Sequence, residues 1–282
     1  MERKSIAIIG TGLIGGSLAL RLHETKLSSR IIGVDNNPKH ARIALENEIV
    51  DELMDLDNSI QQVDVIILAI PVDSSVSLLP AILDKIDRQI VMDVGSTKFV
   101  LTETVKDHPK RGRFVAAHPM WGTEYSGPSA VVRDAFVNRA VILCNTTESD
   151  PDAVEWVTHM YQKIGMRNLF MDAADHDLHA AYVSHISHIT SFALANTVLE
   201  KEAEQSAIFE LASAGFESTV RLAKSSPAMW APIFLQNSEQ VLDVLNEHIA
   251  QLEKFRDRIA KADREGLLQL MEKANQIKRI LA

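Results

Sequence analysis

The feature that most restricts the fold lies within the first 35 residues. An apolar run, Ser5-Ile6-Ala7-Ile8-Ile9, leads directly into Gly10-Thr11-Gly12-Leu13-Ile14-Gly15, and a helix-length segment, LIGGSLALRLHE, comes next without a break. In a strand–turn–helix unit the glycines of such a turn serve different ends. The first permits the tight turn, the second lets a pyrophosphate approach the backbone, and the third lets helix and strand pack closely. The helix N-terminus then offers free N–H groups to phosphate. Three glycines alone are a weak signal, since a purely structural turn can also carry them. A second apolar run ends in Gly33-Val34-Asp35, twenty residues past Gly15, where a carboxylate would meet the adenosine ribose. The spacing therefore predicts a dinucleotide site built on Gly10, Gly12, Leu13, Ile14, Gly15 and Asp35. It favours NAD over NADP, because Asp35 would repel a 2′-phosphate and Asn36 and Asn37 offer no arginine to hold one. The competing role for Asp35 is a helix N-cap ahead of Pro38.

The pattern begun by this unit continues to about residue 172. Short β-branched runs, among them VDVIILAIP, QIVMDVG, RFVAAHP, RAVILCN and RNLFMD, alternate with amphipathic stretches such as PDAVEWVTHMYQKIG. This predicts an α/β domain of Rossmann type over residues 1–172, with a mostly parallel sheet and antiparallel pairing open to the strands near 114–145. After Asp172 the β-branched runs stop, which predicts an all-α domain over residues 173–282 with helices near 173–200, 203–224, 228–262 and 264–281. In the third, Leu242, Leu245, Ile249, Leu252 and Ile259 recur at three- and four-residue steps. That stripe suits either intrachain packing or a subunit interface.

Composition narrows the function classes. A net charge of −9, with basic residues scattered among acids, argues against nucleic acid as a partner. No run of 18 apolar residues exists to span a membrane and no export signal is visible at the start. The single cysteine, Cys144, excludes an intramolecular disulfide, so a cytoplasmic setting is expected. Cys144 itself, inside RAVILCN, reads as a buried small hydrophobe.

Further segments carry chemistry. Asp93-Val94-Gly95-Ser96-Thr97-Lys98 and His118-Pro119-Met120-Trp121-Gly122-Thr123-Glu124 each follow a predicted strand at the ligand-binding end of the sheet. Later come His176-Asp177, Ser184-His185-Ile186-Ser187-His188, and Arg221 followed by Met229-Trp230. Together, in this order and over residues 4–280, these motifs resemble the prephenate and arogenate dehydrogenase family. One departure stands out: that family often has proline between the two histidines, where this chain has Ile186 and Ser187, so a regular, straighter helix is expected there.

The resemblance implies NAD-dependent oxidative decarboxylation of prephenate in tyrosine biosynthesis, with arogenate as the alternative substrate, and a homodimer paired through the helical domain. It assigns His118 as the group that accepts the hydrogen bond from the substrate's C4 hydroxyl. Ser96 would support it at both the substrate oxygen and the nicotinamide end. A histidine suits the role because its ordinary pKa of ~6.5 leaves it mostly neutral. Arg221 matches the family's carboxylate-binding arginine, His188 would reach the pyruvyl side, and Trp230 would wall off the ring. Thr123 and His185 are further substrate-binding candidates. Each has a plainer alternative: a turn histidine for His118, a helix N-cap for Ser96, an exposed helix arginine for Arg221 and core for Trp230.

No metal is expected. In a regular helix His176 and His179 fall on broadly the opposite face from His185 and His188, so one helix cannot gather all four. The competing functions are a β-hydroxyacid dehydrogenase or imine reductase, and a non-catalytic NAD-binding regulator. The length leaves no room for a fused chorismate mutase or regulatory domain, so any feedback by tyrosine is expected to act at the active site.

Overall fold

The computed structural model describes residues 2–204 and 208–280. Each apolar run named above forms a strand: β1 Lys4–Ile9, β2 Ser28–Val34, β4 Val65–Leu68, β5 Ile90–Asp93, β6 Phe114–Pro119, β7 Ala140–Cys144 and β8 Arg167–Met171. A two-residue strand, β3 Glu52–Leu53, is too short to show periodicity and was not expected from sequence. They form one eight-stranded sheet in the order β3-β2-β1-β4-β5-β6-β7-β8. All pairs are parallel except β6 with β7, whose connection forms no α-helix to carry the chain back across the sheet.

Between the strands lie α1 Leu13–Glu24, α2 Pro38–Glu46, α3 Leu56–Gln61, α4 Val72–Lys85, α5 Phe99–Thr104 and α6 Pro151–Lys163. The central strands are buried on both faces, as parallel crossovers require, while the edge strand β8 is largely exposed. Alternation along the central strands divides the core in two. Ile6, Ile8, Val65 and Ile67 join one apolar cluster, with Leu18 and Leu22 of α1 and Trp156 and Met160 of α6. Ala7, Ile9, Ile66 and Leu68 join the other, with Leu79, Ile82 and Leu83 of α4. Each fully buried aliphatic side chain contributes about 1.5–3 kcal/mol. The parallel strands end at one edge, which carries the glycine turn after β1, Asp93 at the end of β5 and His118 near the end of β6.

The C-terminal part is helical: α7 Ala173–Ala180, α8 Ile186–Glu204, α9 Ala214–Val220, α10 Pro227–Gln236, α11 Ser238–Ala260 and α12 Arg264–Ala274. Three expectations need correction. The segment over 173–200 is interrupted by a π-turn at Ala181–His185, immediately before the position where the family often has proline and this chain does not. The segment over 203–224 is not one helix: residues 205–207 lie outside the described residues, and beyond them Ser213 takes an extended conformation and starts α9 anew. The segment over 228–262 breaks at Asn237 (φ −108°, ψ 32°), whose side chain is engaged elsewhere.

By packing, the chain divides into two compact units, Met1–Asn237 and Ser238–Ala282. The first holds the sheet and α1–α10, and the second holds α11 and α12. In α11 Leu242, Ile249, Leu252 and Ile259 are exposed. No helix among the described residues is long and apolar enough to cross a membrane.

Candidate active site

The glycine turn is shaped by what its residues lack. Gly10 has φ +96°, and a Cβ there would stand 2.4 Å from the Ala69 carbonyl oxygen. A Cβ on Gly15 would stand 2.1 Å from the Gly10 carbonyl oxygen and 2.9 Å from Ile8, so α1 can sit this close to β1 only without one. Gly12 differs: its Cβ would meet nothing nearer than Gly127 at 3.9 Å. As the N-cap of α1 it receives no side-chain cap, so the first-turn N–H groups of α1, beginning at Leu13 and Ile14, are left for another partner.

Asp35 is aimed by this turn, because its Oδ2 accepts from the backbone N–H (3.0 Å) and the hydroxyl (2.8 Å) of Thr11. The N-cap alternative for Asp35 is corrected: Asn37 caps α2, accepting from the Lys39 N–H at 3.0 Å. Beside Asp35 lies a cavity of about 540 Å³, lined also by Gly10, Asn36, Leu56, Ile70 and Asp73 and by no lysine or arginine. An open glycine, an uncapped helix start and an acid on the adjoining cavity fit an adenine dinucleotide.

His118 is held from behind by a line of buried polar groups. Its Nδ1 lies 2.8 Å from Nε2 of His176, and the Nδ1 of His176 lies 2.7 Å from Oδ1 of Asp177. Both Asp177 oxygens also cap α5, accepting from the N–H groups of Lys98 (2.8 Å) and Phe99 (2.9 Å). The cap role considered for Ser96 is thus filled from another helix. The Ser96 hydroxyl, in the loop after β5, has no hydrogen-bond partner among the described residues. Below this line the fully buried Lys98 ammonium pairs with Asp93, whose Oδ1 accepts from the Ala117 N–H at 3.1 Å. That bond fixes the backbone one residue before His118. Burial, reinforced by the neighbouring His176, Lys98 and His185, pushes the pKa of His118 well below the ordinary histidine value.

The π-turn brings a second histidine toward the same place. One residue more in a turn rotates the rest of the helix by about 100°, which removes much of the opposition between His176 and His185 that a regular helix would impose. Both are buried, and Asn237 ties α7 to His185, donating to the Asp177 carbonyl (2.7 Å) and lying 3.2 Å from Nδ1 of His185. His185 is only 1% exposed, and burial pulls its pKa down to about 4. Trp230 packs edge-on to it and stacks on the His188 ring at 3.5 Å, within an apolar cluster containing Val72 and Ile233. His188 donates through Nδ1 to the Ser184 carbonyl at 3.1 Å, which leaves its Nε2 available; burial and then Arg221 lower its pKa. Among the described residues no group of three or more histidine, cysteine or carboxylate side chains is placed to hold a metal. Cys144 is buried, and its thiol is pushed up to about 12 mainly by that burial.

Arg221, half exposed, bonds through Nη1 to Oε2 of Glu124 at 2.7 Å. Glu124 belongs to the loop after β6, where the Thr123 hydroxyl accepts from the Tyr125 N–H at 3.3 Å and Gly127 approaches Gly12. This loop therefore reaches from the glycine turn to Arg221. The structure thus joins His185, Trp230 and His188 by ring contacts, connects His185 to His118 through Asn237, Asp177 and His176, and sets Arg221 against Glu124, the neighbour of Thr123 on that loop. Sequence reasoning gave Lys98, Asp93, His176, Asp177, Glu124 and Asn237 no roles. The adjacent His176-Asp177 pair was the one signal that could have pointed to them.

Two family models match the chain: the nucleotide-binding domain of prephenate dehydrogenase over residues 18–169 and its dimerization domain over residues 172–273. A prephenate dehydrogenase of Bacillus subtilis is 30% identical over 96% of this chain and 74% of its own length. Among solved structures, the Aquifex aeolicus prephenate dehydrogenase in complex with hydroxyphenyl propionate and NAD⁺ superposes with a TM-score of 0.88 at 28% identity, covering 99% of this chain and 98% of that one. Synechocystis arogenate dehydrogenase gives a TM-score of 0.77 at 25% identity over 99% of this chain and all of that one (100%).

Proposed function

The chain belongs to the prephenate dehydrogenase family, and we propose that it carries out the NAD-dependent oxidative decarboxylation of prephenate to 4-hydroxyphenylpyruvate, a step of tyrosine biosynthesis. The observation that carries this reading is His118: a histidine with a depressed pKa, at the same sheet edge as the glycine turn, its Nδ1 already engaged so that only Nε2 is left to meet a hydroxyl. A nicotinamide dinucleotide, when bound, supplies the hydride acceptor. The glycine turn and the start of α1 would hold its pyrophosphate and Asp35 its ribose. NAD is preferred over NADP because the cavity at Asp35 holds no cation to receive a 2′-phosphate.

The chain's own residues orient the substrate ring and polarise its C4 hydroxyl. His118 takes up the hydrogen bond, and a share of the proton, as hydride leaves C4, and it returns the proton once loss of CO₂ has made the ring aromatic. No net proton is released. Ser96, with its hydroxyl unengaged, supports the same oxygen and the nicotinamide end. Arg221, by exchanging Glu124 for substrate, holds a carboxylate, while His188 turns Nε2 toward the side chain. Trp230 is the wall on which His188 rests, with Thr123 and His185 behind these groups. The functional boundary we assign lies at Asp172, between β8 and α7, and the exposed apolar stripe of α11 pairs two copies into a homodimer. A cytoplasmic setting agrees with a single, buried, unpaired cysteine.

The similarity to an arogenate dehydrogenase favours arogenate as the second reading, with an amine in place of the keto group. Initial rates of NADH formation from prephenate and from arogenate, each repeated with NADP⁺, decide the assignment. The expected order is prephenate with NAD⁺ first, and a higher kcat/KM on arogenate, or with NADP⁺, overturns the corresponding part.

A further inference from the structure

The hydrogen bonds behind His118 determine more than its position. Asp177 offers a carboxylate whose oxygens already accept from the Lys98 and Phe99 N–H groups, so toward His176 it can act only as an acceptor. Nδ1 of His176, 2.7 Å away, must therefore be the donor. A neutral imidazole carries one N–H, so Nε2 of His176 is an acceptor, and the contact at 2.8 Å needs a proton on Nδ1 of His118. That leaves Nε2 of His118 with a free lone pair. His176 is fully buried, so no solvent competes for either of its nitrogens.

From this geometry we infer that His176 and Asp177 are positioning residues that set the tautomer of His118, holding Nε2 as an acceptor for a substrate hydroxyl. An isolated imidazole ring is free to carry its proton on the other nitrogen, and a donor at that place could not take up a hydroxyl proton. The same line counters the positive charge that grows on His118 as it draws on that proton, since polarisation passes through His176 to the Asp177 carboxylate. No proton need travel to solvent. Two further contacts keep the line in register: the carboxylate is fixed at the start of α5, and Asn237 holds the Asp177 carbonyl. The groups facing His118 that could disturb this are Lys98, which its pairing with Asp93 offsets, and His185, which Asn237 engages. Charging His176 would reverse the order, putting a proton on its Nε2 and another on Nε2 of His118.

The inference rests on His118 as the hydroxyl acceptor, and its test has one arm that does not. In the full-length protein labelled with [¹⁵N]histidine, without substrate, the His118 signals are identified by their loss in His118→Asn. The expected result is a protonated Nδ1 and an unprotonated Nε2, and a proton found on Nε2 overturns the inference whatever the enzyme turns over. In the kinetic arm, His176→Leu should lower kcat by about 10²–10⁴ with NAD⁺ affinity within threefold, and should move the His118 proton to Nε2. His176→Gln can donate its amide N–H to Asp177 and present its oxygen to Nδ1 of His118, so it should keep the native tautomer and recover kcat to within about tenfold. A His176→Leu enzyme with kcat within threefold of wild type overturns the positioning role. So does a His176→Gln enzyme that keeps the tautomer yet is as slow as the leucine variant. If wild-type protein oxidises neither prephenate nor arogenate, the functional assignment fails, while the tautomer measurement still decides the register.

Discussion

The two halves of the active edge are built on opposite principles. Around Gly10–Gly15 the structure depends on side chains that are missing: a Cβ at Gly10 or Gly15 would run into backbone 2.4 and 2.1 Å away. Around His118 it depends on side chains that are present and buried, with Lys98, Asp93, His176 and Asp177 all at or below 2% exposure. The first design leaves space that the proposed function assigns to a ligand's phosphates, and it draws on contiguous residues. The second fixes one nitrogen of one ring and draws on β5, β6 and α7 together. A buried polar network is costly unless every member is satisfied, which is why it needs so many partners.

This contrast can be broken or sharpened by substitution. The largest effect is expected from His118→Asn, which keeps the loop's size but removes the titrating base. It should lower kcat by about 10²–10⁴, leave NAD⁺ affinity little changed and abolish the acidic limb of the pH profile. In wild type that limb should lie below the ordinary histidine value of ~6.5, because burial disfavours the charged ring and kcat is lost only where His118 protonates. A retained limb, or near wild-type turnover, makes His118 structural.

Lys98→Met tests whether the polar side is held together as described. It strands the Asp93 carboxylate in a site with no solvent access, so stability should fall by about 3–5 kcal/mol in urea unfolding. The exposed Arg256–Glu253 pair is the control, with no measurable change in stability expected on Arg256→Ala. Equal losses from the two would remove the distinction drawn between these regions.

Arg221→Ala joins a small structural effect to a larger functional one. Its bond to Glu124 is half exposed and adds little to stability. A carboxylate contact contributes about 1.5–3 kcal/mol, so KM for prephenate should rise at least tenfold with NAD⁺ binding unaffected. An unchanged KM makes Arg221 a surface residue.

On the other side of the comparison, Gly15→Ala adds a single methyl group where three neighbours leave no room. Overpacking of this kind costs about 1–3 kcal/mol, and it should lower Tm and NAD⁺ affinity together. If affinity falls while Tm is unchanged, Gly15 acts on the ligand directly and not through the packing of α1 on β1.

How far each region could be read from sequence follows from the same difference. The dinucleotide turn is a local device: strand, glycines, helix and the acid twenty residues on are fixed by sequence spacing, so Gly10 to Asp35 were legible from the chain alone. So were seven of the eight strands, because strands buried on both faces read as short unbroken β-branched runs. The order of the helices was legible too, but not their breaks at Ala181–His185 and Asn237. Those depend on long-range bonds, such as that from Asn237 to the Asp177 carbonyl, which no local propensity encodes. Glu124 acquired a partner only when folding brought Arg221, 97 residues later, within 2.7 Å. The sequence by itself determined which residue types could do the chemistry. Tertiary structure alone decided which nitrogen of His118 faces outward, because that depends on the separation of atoms 58 residues apart in the chain and on a buried carboxylate beyond them.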